Sequence, residues 1–469
     1  MSKRPNILFV ITDHTNARAV ADPRCLTPNL DRLAADGVRF DRYYTTNAIC
    51  SPARASLMTG LFPSTHGVWD CTHTQRPEWV DIAASRCPFF SRHLARAGYR
   101  NAYFGKWHVE QSNRLEDFGW HEFDLRCGNG RGRPVAGTEL SLAHPGYRDY
   151  LLAAVSDGPE THPAFDRGID FLHRRQGCRD PFCCVVSTTE PHDAYVPPQR
   201  FYERYDPDSI ELPASLLDDL DGKPDVVRRL RTVWEGLGES DWQRITASYW
   251  AVITFLDHEI GRLLRALTET GREQDTIVVF TADHGDMMGA HGLLTKGIGT
   301  PYEQVYNIPL IMRVPGAAVA GPDARHVLST VDIAPTLLDL CDAEALPDVQ
   351  GRSFRDILAG TASADDWQDA YAEFFGQRFV YTQRLVWHRN WKYVFSPGGI
   401  DELYDLETDP EECHNLAARP EHRSTLIRMT QRMWRRMRVI GDDSLFNTHY
   451  GTLRTAPIGP LSIIPESEE

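Results

Sequence analysis

Three short runs constrain this chain more than any other feature: NILFVIT at Asn6–Thr12, FCCVVS at Phe182–Ser187 and TIVVFT at 276–281. A strand with one wet face alternates apolar and polar residues, whereas a run apolar throughout is what burial on both faces requires. Helical segments separate these runs. Thr27 is the predicted N-cap of a helix that begins at Pro28, carries Leu30, Leu33 and Ala34 inward and stops at Gly37. Residues 38–44 and 99–104 read as further strands, and 89–97 and 331–340 as further helices. Ile245, Val252, Leu256, Ile260, Leu263 and Leu267 give residues 244–267 a helical period over many turns. This βα alternation predicts an α/β fold with a mainly parallel sheet flanked by helices on both faces.

At 469 residues the chain is long enough for two or three folding units, or one large domain with an appendage. The texture changes after Glu373. Residues 379–386 and Trp391–Phe395 read as short strands, followed by a helix carrying Leu426, Met429 and Met433. We therefore divide the chain into a catalytic α/β domain, 1–375, and a smaller C-terminal α+β subdomain, 376–469, whose end from Gly441 reads as an extended tail. That tail is a candidate for packing on another subunit in a homo-oligomer. Lysine and arginine number 50 against 65 aspartates and glutamates, a formal charge of −15, which argues against nucleic-acid or anionic-membrane partners. The apolar run at 7–11 is too short for a signal peptide or a membrane span, so the expected location is the cytoplasm. Ten cysteines spread over this length do not make a disulfide scaffold. Most, including Cys183 and Cys184, are expected to be reduced core thiols.

The chemistry gathers where the strands end, which is where ligands bind in open α/β sheets. Asp13-His14 follows the first run and Asp283-His284 follows the third. Two such pairs meet if their strands are neighbours, and carboxylate with imidazole suits a divalent metal. Each pair taken alone reads equally well as a turn former with a surface histidine. Cys50-Ser51-Pro52-Ala53-Arg54 opens another helix, with Ser51 the predicted N-cap and Pro52 the first helical residue. Cys50 then sits where backbone N–H groups favour an anion, with Arg54 one turn away. As a bare thiol it is an activated nucleophile or a buried structural cysteine.

Cys50-Ser-Pro-Ala-Arg54, continued by Ala55-Ser-Leu-Met-Thr-Gly60, resembles the C-x-P-x-R signature of the type I, formylglycine-dependent sulfatases of the alkaline-phosphatase-like superfamily. The likeness extends through Asn6–Asp13, Thr27-Pro-Asn-Leu-Asp-Arg-Leu33, Gly105-Lys-Trp-His108, Thr281-Ala-Asp-His-Gly285, residues 402–410 and Asn415-Leu416, in family order over almost the whole chain. It implies that a formylglycine-generating enzyme oxidises Cys50 to an aldehyde. In the family the aldehyde is hydrated; one hydroxyl attacks sulfur, the alcohol leaves, and the second hydroxyl then expels sulfate.

The resemblance assigns Asp13, Asp283 and His284, with Cys50 once processed, to one divalent metal, His14 being a ligand or the partner of one. Lys106, His108, His192 and Lys296 match positions that contact sulfate or move protons. His108 is the candidate for assisting collapse of the covalent intermediate, and His192 or Lys296 for protonating the departing alcohol. Together they make a cationic pocket within an acidic protein. Two features depart from the common pattern: His14 replaces a second aspartate, and His284 stands where many members have asparagine. Calcium is the family default, but the extra nitrogens suit manganese, zinc or iron. The expected activity is hydrolysis of a small-molecule or saccharide sulfate monoester. The alternatives are a phosphonate monoester or phosphodiester hydrolase, and an inactive metal- and anion-binding homologue. Specificity is expected from loops 67–88, 126–147 and 212–241, where Trp69, Trp79, Trp120 and Trp234 are either stacking platforms or core. His66 and His291 are read as structural or pocket-edge residues.

Overall fold

In the computed structural model, which describes residues 4–74, 86–442 and 451–462, the centre is an eight-stranded sheet. Its strand order is Gly321–Asp323, Val38–Phe40, Leu310–Arg313, Thr276–Ala282, Asn6–Thr12, Phe182–Ser187, Arg100–Gly105 and Glu122–Asp124. Leu310–Arg313 is antiparallel to both of its neighbours; the other pairings are parallel. The three apolar runs lie side by side in the middle, and every residue of each is buried. Leu8 and Val10 face one core, shared with the long helix Glu239–Glu269, while Ile7, Phe9 and Ile11 face the other. Each such side chain contributes about 1.5–3 kcal/mol by leaving water, which fixes these strands at the centre.

Register explains the site. Thr12 is level with Ala282, and Ile11 with Ser187, so Asp13 and Asp283 are the first residues past the ladder on adjacent strands. Gly105 is level with Ser187, which sets Lys106 just beyond the same edge. Gly105 has φ +104°, and a Cβ there would meet the Ser187 carbonyl oxygen at 1.8 Å, so only glycine lets these strands end so close together.

Several sequence expectations change. Residues 38–44 form two strands, Val38–Phe40 in the large sheet and Tyr43–Tyr44 paired with Leu328–Ser329. Thr27 occupies the N-cap position without a capping bond; its hydroxyl reaches Asp31 instead. Ser51 is not a cap: the helix starts at Cys50 with Ile49 before it, and Ser51 Oγ accepts from the Thr72 N–H. The C-terminal antiparallel sheet begins at Asp369, ahead of the expected boundary, and runs Asp369–Gln377, Phe379–His388, Trp391–Phe395 and Glu402–Asp405. Helix Arg423–Ile440 closes its apolar face with Leu426, Met429, Met433 and Trp434. The described part of the tail packs on that helix, where Trp434 Nε1 donates to the Ile458 carbonyl. Among the described residues no helix is long and apolar enough to cross a membrane.

Candidate active site

Asp13, His14, Cys50 and His284 bring one ligand atom each to within 4.8 Å of the others, and all four residues are buried. Cys50 Sγ lies 3.1 Å from His284 Nε2 and 3.5 Å from Asp13 Oδ1. His284 Nδ1 donates to the Gly285 carbonyl at 3.0 Å, which turns Nε2 towards the sulfur; burial opposes its charge, but Asp283 and Cys50 outweigh burial and raise the imidazole above its ordinary value. His14, at φ +64°, turns back into the cluster directly after its strand. Its Nδ1 donates to Asp286 Oδ2 at 2.9 Å, and Tyr195 holds that same oxygen at 2.8 Å. A carboxylate fixing the outer nitrogen is how a histidine is aimed at a metal.

Asp283 stands beside the four atoms rather than among them. Its Oδ1 accepts the His284 N–H at 2.9 Å and is 3.7 Å from His284 Nε2, while Oδ2 takes Arg54 Nε at 2.7 Å. Arg54 also donates to the Lys106 carbonyl and to Ser187 Oγ, at 2.9 and 2.7 Å. Burial opposes the Arg54 charge, but Asp283 and Asp13 more than offset it and keep the guanidinium protonated.

Two lysines complete the cluster. Lys106 pairs with Asp13. Lys296 contacts His14 Nε2 and lies 3.0 Å from His192 Nε2. Burial and Cys50 push the Asp13 carboxyl up, yet Lys106, His192 and His14 outweigh them, so it stays ionised well below the usual carboxylate range. At Cys50 a hydrogen bond with Cys71, reinforced by Lys106 and Lys296, overcomes burial and lowers the thiol. These fields favour an anion at residue 50, here carried by sulfur where a processed side chain carries oxygen.

His192 Nδ1 is 2.9 Å from Asp193 Oδ1, and its ring centre is 4.0 Å from that of His14. His108, at φ +55°, stacks against His73 with centroids 5.6 Å apart. Asp13, His14, Cys50, Arg54, Lys106, His192, Asp283, His284 and Lys296 are thus linked by direct contacts, while His108 is joined to them through His73 and Cys71. The sequence reading missed Asp286, Tyr195, Ser187 and Asp193, although Ser187 ends one of the apolar runs and Asp286 directly follows the Thr281–Gly285 motif. It also passed over Cys71 as a core thiol; Cys71 is buried, but it touches Cys50. His66 and His291 prove structural: His66 bonds Ser56 and the Val68 N–H, and His291 bonds Asp218.

A cleft of about 520 Å³ opens beside Lys106 and His108, bordered by Thr72, His73, Asn113 and Arg126. Size alone does not locate the chemistry, since a cleft of about 620 Å³ bordered by Ala17, Arg39 and Asn390 includes none of the converging residues. Trp120 and Trp234 are buried and Trp69 is exposed, stacked on Phe375; Trp79 lies outside the described residues. The tip of the C-terminal hairpin reaches this region, where the Arg378 N–H donates to Asp70 and its guanidinium lies 3.4 Å from His73.

The sulfatase family model matches residues 5–343, and the model of the N-sulphoglucosamine sulphohydrolase C-terminal region matches 289–439. An uncharacterised sulfatase, YidJ, of Escherichia coli K12 is 32% identical over 434 residues, 88% of this chain and 83% of that protein. The N-acetylglucosamine-6-O-sulfatase of Bacteroides thetaiotaomicron is 27% identical over 490 residues, 90% and 84% of the two chains. A solved structure, BT4656 in complex with its substrate D-glucosamine-2-N,6-O-disulfate, superposes with a TM-score of 0.75 at 24% identity, covering 94% of this chain and 99% of that one. The chain belongs to the sulfatase family, with the alkaline-phosphatase-like fold, and is by class a sulfuric ester hydrolase.

Proposed function

We propose that this protein hydrolyses sulfate monoesters of saccharides at residue 50, after a formylglycine-generating enzyme has converted Cys50 to formylglycine, with one divalent metal bound alongside. The observation that carries this is the buried convergence of Cys50, Asp13 and His284 beside Lys106. Asp13, His14, Asp283 and His284, with processed residue 50, would hold the metal, Asp283 offering Oδ1 while its Oδ2 braces Arg54. Two imidazoles in the donor set suit manganese, zinc or iron better than calcium. When present, formylglycine supplies the oxygen nucleophile and the metal supplies positive charge that favours its ionised form.

The remaining work belongs to the chain itself. Lys106 and Lys296 present ammonium groups to the sulfate oxygens and stabilise charge gathering there. His192, oriented by Asp193, is placed to hand a proton to the leaving alcohol. His108, which stacks on His73 and borders the cleft beside Lys106, would take the proton whose removal releases sulfate. Arg54 holds the strand ends together so that these groups keep their spacing.

The leaving-group cleft is bordered by hydroxyl, amide, imidazole and guanidinium groups, which suit a polyhydroxylated alcohol. The name of the Bacteroides thetaiotaomicron relative points the same way. The test is to compare kcat/KM of the converted enzyme for glucosamine 6-sulfate, an aryl sulfate and a phosphonate monoester. The saccharide sulfate should be turned over fastest. Fastest turnover of the phosphonate ester would make the protein a phosphonate hydrolase, and no turnover by fully converted protein would make it a binding homologue.

A further inference from the structure

Outside the acid-imidazole cluster, Cys71, His73 and His108 form a second group, with one ligand atom from each lying within 4.8 Å of the other two. We propose that these residues form a distinct site for a thiophilic divalent ion, zinc being the best fit, and that its occupancy withdraws His108 from the reaction. The inference does not depend on formylglycine.

Local structure brings the three together. Cys71 and His73 lie on a turn closed by the Thr74 N–H to the Cys71 carbonyl at 2.9 Å, with Thr74 Oγ1 bonded to Asp70 at 2.7 Å. The Thr72 N–H donates to Ser51 Oγ at 3.1 Å, which pins this turn against the Cys50 helix. His108 comes from the loop after Arg100–Gly105, and its left-handed backbone turns the ring towards His73. A second observation points to a ligand: His108 Nδ1 is buried and makes no hydrogen bond. A nitrogen buried without a partner is costly, and an ion held by the three residues would meet it.

The donor set selects the ion. One thiolate and two imidazoles are borderline-soft ligands that zinc takes at about 2.0–2.3 Å, whereas calcium and magnesium require oxygen. Three protein donors leave one coordination position, which opens onto the 520 Å³ cleft that His73 and His108 border. The hydrogen bond to Cys50 and burial hold Cys71 as a thiol, so the ion must displace that proton to solvent. The exposed His73 side chain can close the remaining distance, and Asp70 sets negative charge against the Arg378 guanidinium beside it.

The test uses full-length Cys50→Ser protein, so that residue 50 offers no thiol and cobalt at the first site gives no thiolate band. Cobalt(II) is titrated in without oxygen, and the thiolate-to-cobalt charge-transfer band is read in the near ultraviolet. The band should be complete within two equivalents, the first site taking no more than one. Cys71→Ser should abolish it, His73→Ala should weaken cobalt binding at least about tenfold, and Cys413→Ser should leave it intact. Because His73 is exposed, its variant carries the test even if Cys71→Ser fails to fold. In converted wild-type enzyme, zinc should inhibit, with at least about tenfold more needed in His73→Ala. No band, a band that survives Cys71→Ser, or binding unaffected by His73→Ala overturns the proposal.

Discussion

Arg54 donates from Nε to the Asp283 carboxylate at 2.7 Å with both side chains sealed from solvent. This pair ties the helix that begins at Cys50 to the end of Thr276–Ala282, and so sets the position of residue 50 against the cluster. Removing one partner strands a buried charge, which costs about 3–5 kcal/mol. Arg54→Ala should therefore lower unfolding free energy by that order, as measured by denaturant titration. Arg54→Lys should recover part of the charge but not the three-way donation to Asp283, Lys106 and Ser187, leaving kcat/KM at least about a hundredfold down. A Lys variant as active as wild type would contradict this role.

His14 owes its orientation to Asp286, which accepts from Nδ1 at 2.9 Å and from Tyr195 at 2.8 Å. Asp286→Asn keeps the shape but loses the charge that holds this tautomer. Affinity for manganese or zinc, measured calorimetrically, should fall about 10–100-fold. Unchanged affinity would remove His14 from the metal's ligands.

His66 supplies a pH prediction unconnected with catalysis. Burial lowers its imidazole from the ordinary 6.5 to about 3, because Nδ1 accepts the Val68 N–H and Nε2 faces Ser56. Between those values the unfolded chain carries a proton that the folded chain refuses. The contribution is fully present above pH 6.5 and is lost as pH falls towards 3. Going from pH 8 to pH 5 should remove about 2 kcal/mol at this residue. The loss between these pH values should be smaller by that amount in His66→Gln; equal losses in both proteins would refute it.

The sequence made the sheet centre legible because burial on both faces writes itself as uninterrupted apolar residues. Asp13 and Asp283 were legible because they follow two of those runs, whereas Lys106, His108, His192 and Lys296 were named by the family resemblance alone. Leu310–Arg313, inside the sheet, and Gly321–Asp323, at its edge, escaped notice because runs of three or four residues beside proline or glycine leave no period to read. Val38–Phe40 and Tyr43–Tyr44 merged in the reading because Asp41 and Arg42 divide them without a glycine or proline. Ser51 looked like a cap by composition, yet its hydroxyl is engaged by Thr72, a contact no local rule contains. For the same reason Cys71 was invisible: its importance comes from touching Cys50 across a fold, not from its neighbours in the chain.

The central claim is that an aldehyde at position 50 carries the chemistry. It is tested most directly by measuring the mass of the peptide spanning residue 50, in protein made with and without a formylglycine-generating enzyme, alongside turnover of a sulfate ester. The account predicts that activity rises in proportion to the aldehyde-bearing fraction and vanishes in Cys50→Ala. Full activity from protein whose residue 50 remains an intact thiol would contradict it.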